Sequence, residues 1–503
     1  MAAFPMTVFE AAAARPGRSV VALCAAQALF WTLAPALTHS APPLDVVEML
    51  VWGREGVVAT YKHPNLPGLL LEAVRLASFG ALWPVYLFGQ GCVAATFAAV
   101  YLLGRDLLGP GRALAGTLLL TGIFYYSWPT PEVNHNLLQM PLWAWTGLAL
   151  WRAVQSERIL WWFLLGLFAG LSLWAKYSSG LLLLAAFVWL LADGRGRACL
   201  SRPGPWLALA ACALVALPQA IYLVESGFLP LDYATTRAGS SKAGGPVSFL
   251  LAQLADHAVF ALMALAAGLF GAGAARAPAE ESGARRFLLI LGIGPLLLTV
   301  LAAVATGLGL KDMWGMPMFN WSGLLLMALL PGRFDGRRLA RLGAMAAGLL
   351  VLVPAAYAAA VLFGASISDK PVRVAWPQDA IAGRLLRGYI EETGAAPRIV
   401  VGHQWLAGLV ALKAPGGPSV SINADPGKSP WVSDRDIAER GALAVWRTGR
   451  KLPPGMAALA AGRPLRRETF RWSDSPTARP IRITWTVIPP RPPGTRKTGS
   501  ADR

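Results

Sequence analysis

Charged side chains are scarce in this chain. They make up 14% of its 503 residues against 55% that are hydrophobic, and only 27 residues are acidic. A soluble domain carries about a quarter charged residues, so an ordinary water-soluble globule is excluded. There are just four cysteines, Cys24, Cys92, Cys199 and Cys212, each in or beside an apolar segment. Without CxxC or ligand-like spacing they read as small core residues and carry no redox or metal framework. A P-loop, a dinucleotide fingerprint and any repeat of about 20–50 residues are also missing, which sets aside nucleotide-binding folds and repeat arrays. The first apolar segment has no convincing small-residue cleavage site and is expected to remain as an anchor.

What the chain does contain is greasy sequence in lengths of about 20 residues, each enough to cross roughly 30 Å of hydrocarbon. Spans are expected at 19–38, 82–103, 113–128, 137–154, 160–176, 178–193, 205–224, 247–273, 287–309, 316–331 and 342–364, about eleven in all. Helices are the form that lipid permits. The formal charge of +18 is a topology signal rather than a nucleic-acid footprint, because the arginines collect in alternate loops. Arg15/Arg18, Arg105/Arg112, Arg152/Arg158, Arg195/Arg197/Arg202, Arg276/Arg285/Arg286 and Arg333/Arg337/Arg338/Arg341 mark the cytoplasmic side. Loops 39–81, 129–136, around 177, 225–246 and 310–315 then face the exterior, as does everything after about 365.

The C-terminal part changes character. "PRIVVGHQWLAGLVALKAPGGPSVSIN" predicts strand, helix, turn and strand, and "PIRITWTVIPP" a final strand. The expected architecture is a polytopic α-helical membrane domain over 1–364, a small exterior α/β domain over 365–487, and a proline-rich, disordered tail over 488–503.

The polar residues of the exterior loops carry the chemistry. In "PLDVVEMLVWGREGVVATYKHPNLPG" two prolines open a helix. At 100° per residue it gathers Asp45, Glu48 and Trp52 on one face and Val46, Val47, Leu50 and Val51 on the other. This predicts an amphipathic helix lying in the membrane interface; a merely solvated polar face is the plainer reading. Lys62 and His63 follow at headgroup depth, stiffened by Pro64 and Pro67, and Lys62 could simply snorkel. Further loops hold Glu132, Asn134, His135 and Asn136, then Lys176 and Tyr177. A Gly/Ser-rich loop holds Asp232, Tyr233, Arg237 and Lys242, and reads as mobile; the last loop holds Lys311, Asp312 and Trp314. A lone histidine such as His135 is more often structural than a ligand. Cations at bilayer-edge depth could bind a phosphate carried by a lipid tail, and a carboxylate pair could supply a general base.

These residues resemble a known group. "LDVVEMLVWGREGVVATYKHPNLPGLLLE" is similar to the first exterior loop of GT-C superfamily membrane glycosyltransferases, in the branch of dolichyl-phosphate-mannose protein mannosyltransferases and the lipid A aminoarabinose transferase. "VNHNLLQMPLWAW", "AKYSSGLLLL" and "DMWGMPMF" resemble later segments of the same group. Asn65 stands where a second proline is commoner. The resemblance implies transfer of a sugar from a polyprenyl-phosphate donor to an acceptor hydroxyl, with inversion, at the exterior (periplasmic) face of a bacterial inner membrane. It makes Asp45 the base and Glu48 its orienting partner. It gives Lys62, His63, Arg237 and Lys176 the donor phosphate, and lines the substrate pocket with Tyr61, Glu132, Asn134, His135, Tyr177, Lys311, Asp312 and Trp314. The acceptor would be lipid A, lipopolysaccharide core, another envelope glycan or a protein. Some relatives use a divalent cation, although no tight His/Asp cluster here demands one, and no nucleic acid is involved.

Two other classes compete. A transporter would use intramembrane ionisable groups, and Asp256 and His257 alone sit deep enough within an expected span. A ligase moving a whole polyprenyl-linked polysaccharide shares the membrane class and donor type.

Overall fold

The computed structural model describes residues 14–239, 244–270, 280–330 and 335–491. The expectations placed on Lys242, Arg276, Arg333 and the tail beyond 491 lie outside the described residues. The chain divides into two compact units, one of Met1–Leu37 with Val58–Ala358, the other of Thr38–Val57 with Ala359–Arg503.

Among the described residues, five helices are long and apolar enough to cross a bilayer: Pro16–Thr38, Trp83–Leu108, Pro203–Glu225, Gly283–Thr306 and Gly336–Leu362. Pro246–Asp256 and Ala258–Ala266 make a sixth if the 41° bend between them belongs to one broken span. The protein is therefore a multi-pass helical membrane protein. The expected eleven spans are not all met: 160–176 and 178–193 form shorter apolar helices, Ile159–Ala175 and Tyr177–Ala192, and two others take another form. Residues 113–128 become the helix Pro110–Leu119 and two short 3-10 turns, interrupted where Ile123 is extended. Residues 316–331 become a 3-10 segment, Asp312–Phe319, and the short helix Ser322–Leu329.

Small residues let the helices of the first unit touch. A Cβ on Gly323 would lie 2.0 Å from the carbonyl oxygen of Gly116, so Pro110–Leu119 and Ser322–Leu329 meet backbone to backbone. Buried polar groups are matched by neutral partners. Gln27 Nε2 donates to Gln90 Oε1 (3.0 Å) and to the Tyr126 carbonyl (3.0 Å), and Gln90 Nε2 donates to Thr130 Oγ1 (3.1 Å). Such pairing is what a low-dielectric interior demands of an amide.

The second unit is built on a five-stranded sheet: β1 (Ile399–Gly402), β2 (Ser419–Ile422), β3 (Ala442–Arg447), β4 (Arg466–Phe470) and β5 (Ile481–Ile488), in the order β2-β1-β3-β5-β4. The first three run parallel, and β5 and β4 are antiparallel. β1, the helix Gln404–Lys413 and β2 follow the strand–helix–strand pattern expected from the sequence.

Residues 38–57 join this unit as a strap. Ser40 N and Ala41 N both donate to the Val374 carbonyl (2.8 and 3.0 Å), and Trp405 Nε1 donates to the Pro42 carbonyl (3.2 Å). The helix Leu44–Arg54 comes next, and Arg54 Nη1 donates to the Ala411 carbonyl at 3.2 Å. Here the structure corrects the sequence reading. Val46, Val47, Leu50 and Val51 were expected in lipid, yet all four are buried in protein, and Gly408 of the helix Gln404–Lys413 lies directly against Val47 and Val51. The opposite face is closed too, since Glu48 is 5% exposed and Trp52 is fully buried. Amphipathic periodicity shows that a helix has an apolar face but not whether lipid or protein covers it.

Candidate functional site

In the first unit the loop after Val57 folds back on itself. Thr60 N donates to the His63 carbonyl (3.0 Å), and Asn65 N to the Val58 carbonyl (3.0 Å). Trp174 Nε1 (3.2 Å) and Gln219 Nε2 (2.8 Å) also donate to Val58 O, which ties the loop to two helices. Tyr61, Lys62 and His63 project from this anchored turn.

Lys62 Nζ lies 5.6 Å from the ring centres of both Tyr61 and Tyr233, and the two rings meet edge to face at 5.6 Å. Aromatic faces at this range attract an ammonium group. The His63 ring is 4.5 Å from that of His135, whose Nε2 is 3.0 Å from the Pro64 carbonyl oxygen. His135 opens the helix His135–Ser156, which Asn134 caps by accepting from Asn136 N (2.9 Å) and Leu137 N (3.2 Å). Lys176 is buried where the helix Ile159–Ala175 ends. Its Nζ donates to Asn136 Oδ1 at 2.6 Å and lies 5.7 Å from the Trp314 ring.

The electrostatics follow from this packing. Burial first, then the neighbouring His135, Lys176 and Lys62, hold His63 well below the ordinary imidazole range. Burial and Lys176 lower His135 to about 3, against a smaller opposing effect of the Pro64 carbonyl. Both imidazoles are therefore neutral at pH 7, and the charge of the cluster rests on two ammonium groups. Such an arrangement suits an anion.

The structure brings together Tyr61, Lys62, His63, His135, Lys176 and Trp314 of the residues singled out in the sequence. For the others the structure gives different contacts. Tyr177 OH donates to Gln219 Oε1 at 3.3 Å. Asp312 accepts through its backbone carbonyl, from Tyr125 OH (2.5 Å) and Gln253 Nε2 (3.1 Å), while its side chain is exposed. Lys311 directly precedes that 3-10 segment, and Glu132 N donates to the Pro129 carbonyl at 3.0 Å. Arg237 is exposed in the last turn of the helix Leu229–Ala238, a stretch the sequence read as mobile loop. Pro230 in the first turn of that helix was the available signal, and the helix is what delivers Tyr233, a member of the cluster that sequence reasoning left unassigned. Asp45, in the first turn of Leu44–Arg54, and Glu48, one turn later, belong to the second unit.

His257, considered for a transport relay, is held structurally: Nδ1 lies 2.8 Å from the Gln253 carbonyl and Nε2 3.3 Å from Ser322 Oγ. Among the described residues, no group of three His, Cys, Asp or Glu side chains could hold a metal ion.

The chain is thus a multi-pass membrane protein with a cationic, aromatic-lined cluster in its helical unit. Residues 62–222 match the sequence model of the dolichyl-phosphate-mannose-protein mannosyltransferase family, a stretch that holds Lys62, His63, His135 and Lys176. The lipopolysaccharide core galacturonosyltransferase RgtB of Rhizobium johnstonii is 28% identical over 327 residues, 61% of this chain and 62% of the relative. The chain therefore spans somewhat less than two thirds of that curated relative. These matches support the GT-C glycosyltransferase resemblance read from the sequence. Among solved structures, ArnT from Cupriavidus metallidurans bound to undecaprenyl phosphate aligns with a TM-score of 0.49 at 12% identity, covering 92% of this chain and 97% of that one. Its apo state gives the same score and identity over 93% and 97%.

Proposed function

We propose that this protein transfers a sugar from a polyprenyl-phosphate carrier to a hydroxyl of an envelope glycan, with inversion, at the periplasmic face of a bacterial inner membrane. The observation that carries the reading is the pairing of Lys62 and Lys176 among neutral imidazoles and aromatic rings. Two ammonium groups gathered in one cluster can give a phosphate charge-assisted hydrogen bonds.

The chemistry is simple in outline. The acceptor oxygen attacks the anomeric carbon while its proton passes to the Asp45 carboxylate. The bond from that carbon to the phosphate oxygen breaks, and the carrier leaves as a phosphate monoester with one more negative charge. Lys62 and Lys176, with Arg237 and His63, would stabilise that growing charge, and Glu48 would orient the base or the acceptor. A lipid-phosphate leaving group needs no nucleotide motif. The name of the relative RgtB makes galacturonic acid the first donor sugar to test and lipopolysaccharide core the first acceptor.

The test uses the purified chain in nanodiscs with polyprenyl-phosphate-linked galacturonic acid and core oligosaccharide, read by mass spectrometry. Transfer adds one hexuronic acid to the acceptor. Asp45→Asn should lower the rate by about 10³-fold or more, in line with loss of a general base together with its positioning. Full activity in that variant would remove Asp45 from the mechanism.

A further inference from the structure

Three arginines crowd one corner of the second unit with no acidic partner among the described residues. Arg447 ends β3, and Arg450 N donates to the Arg447 carbonyl at 3.2 Å across the turn that follows, which places both side chains on one corner. Arg373 approaches from the 3-10 turn Arg373–Ala375. Between them lie Trp376 and Trp405, edge to face at 4.8 Å. The Arg447 guanidinium sits 5.3 Å from the Trp376 ring and that of Arg373 sits 5.8 Å from the Trp405 ring. All three arginines are exposed, and none makes an ion pair with a described residue. Elsewhere in the unit Arg384 pairs with Glu468, Arg466 with Glu392 and Arg479 with Asp369, while Arg398, Arg467 and Arg482 make no ion pair with a described residue; what distinguishes this corner is its tryptophan pair. Partial burial first, then the neighbouring Arg450 and Arg373, press the Arg447 pKa downward.

This corner is continuous with the strap that carries the proposed base. Val374 holds Ser40 and Ala41, and Trp405 holds Pro42. Asp45 stands three residues beyond Pro42, at most about 11 Å of chain. A patch meant only for lipid headgroups would have no need to be fastened to this strap.

We propose that Arg373, Arg447 and Arg450, set around the Trp376–Trp405 pair, form a docking site for an anionic group of the acceptor glycan, a phosphate or a carboxylate. The site fixes which acceptor reaches Asp45. Arginine guanidiniums grip such groups through paired, charge-assisted hydrogen bonds, and the tryptophans hold the guanidinium planes in place. The proposal rests on the transferase reading above.

Binding to the full-length protein in nanodiscs tests it independently of turnover. The probes are phosphorylated lipopolysaccharide core oligosaccharide, the same material after phosphate removal, and the same after carboxyl reduction. Wild type should bind the native oligosaccharide about tenfold more tightly than one of the two treated forms, which identifies the recognised group. Arg447→Gln with Arg450→Gln should lose that tenfold preference with no change in donor KM, and Arg447→Lys with Arg450→Lys should recover part of it. Unchanged binding in the glutamine variant overturns the site. So does capture of phosphatidylglycerol vesicles that the glutamine variant loses while its oligosaccharide affinity stays the same. Selective binding by a wild type that transfers no sugar would sink the transferase reading and leave the site standing. Transfer with an unaltered acceptor KM in the glutamine variant would do the reverse.

Discussion

The interior of the first unit and the surface of the second handle polar groups in opposite ways. In the first, the interior is satisfied by neutral amides and hydroxyls: Gln139 Nε2 donates to Ser179 Oγ at 2.8 Å, Trp143 Nε1 to the same oxygen at 3.0 Å, and Asn320 Nδ2 to the Met140 carbonyl at 2.8 Å. In the second, charges pair at the surface, as Arg384 does with Glu468 and Lys413 with Asp379. Lipid offers no water to screen an ion, whereas an exposed α/β sheet has it in abundance. The contrast gives Lys62 and Lys176 their meaning. An exposed lysine such as Lys413 needs no special account, whereas Lys176 is a lysine buried in the helical unit.

The sharpest break of that comparison sets Lys176 against Lys413. Lys176→Met keeps the stem and removes the ammonium, and transfer at saturating acceptor should fall by about 100-fold, with the loss concentrated in donor use. Lys413→Met should change the rate less than about twofold, since an exposed pair contributes little. Equal losses in both would show that burial of the cation carries no functional weight.

A second test targets the fastening of the strap. A Cβ at Gly408 would sit 2.3 Å from Val47 Cγ1 and 3.1 Å from Val51 Cγ2. Gly408→Val should displace the helix Leu44–Arg54, cost about 1–3 kcal/mol of stability and lower transfer sharply by moving Asp45. Adding Val47→Ala should recover part of both losses, measured as melting midpoint and rate. No recovery would mean that the helix is not seated on Gly408.

Some of this was legible in the sequence and some was not, for identifiable reasons. The longest apolar runs and the strand–helix–strand rhythm of 397–423 are local patterns, so they survive into the structure, while 113–128 and 316–331 break into short helices and turns. Lys62, His63, His135 and Lys176 could be singled out one at a time, because a cation or imidazole at a helix end is conspicuous in a greasy chain. Their assembly was hidden, since the His63–His135 contact spans 72 positions of chain. Tyr233 was named but given no role, because glycine and serine downstream suggested a loop where a proline starts a helix. The cover over Val47 and Val51 comes from Gly408, more than 350 positions away, and no periodicity encodes a partner.

The histidines give a pH test. Unfolded imidazoles take up protons near pH 6.5, while His135 in the folded protein does so only at about 3 and His63 is also held well below 6.5. Between those values the unfolded state holds more protons, so stability falls as pH falls, by up to about 1.4 kcal/mol per pH unit for each imidazole. Melting midpoints should hold above pH 7 and decline from about pH 6 downward. Replacing His63 with Gln and His135 with Asn should flatten that decline, and an unchanged slope would place its origin elsewhere.

The smallest effects separate the two kinds of polar contact themselves. Gln90→Leu removes the bonds to Gln27 and Thr130, but Gln27 retains the Tyr126 carbonyl and Thr130 Oγ1 still donates to the Ser127 carbonyl at 2.7 Å. Because each orphaned group keeps a second partner, the loss should be about 1 kcal/mol, typical of side-chain hydrogen bonds between membrane helices. Glu468→Gln removes the surface partner of Arg384, whose side chain is 49% exposed. Water and salt already screen that pair, so the change should stay below about 0.5 kcal/mol and shrink further at high ionic strength. Melting curves at low and high salt distinguish the two. A salt-insensitive loss at Gln90 with a salt-sensitive one at Glu468 supports the division drawn here, and the reverse pattern would mean that the amide chain is wet and the surface pair dry.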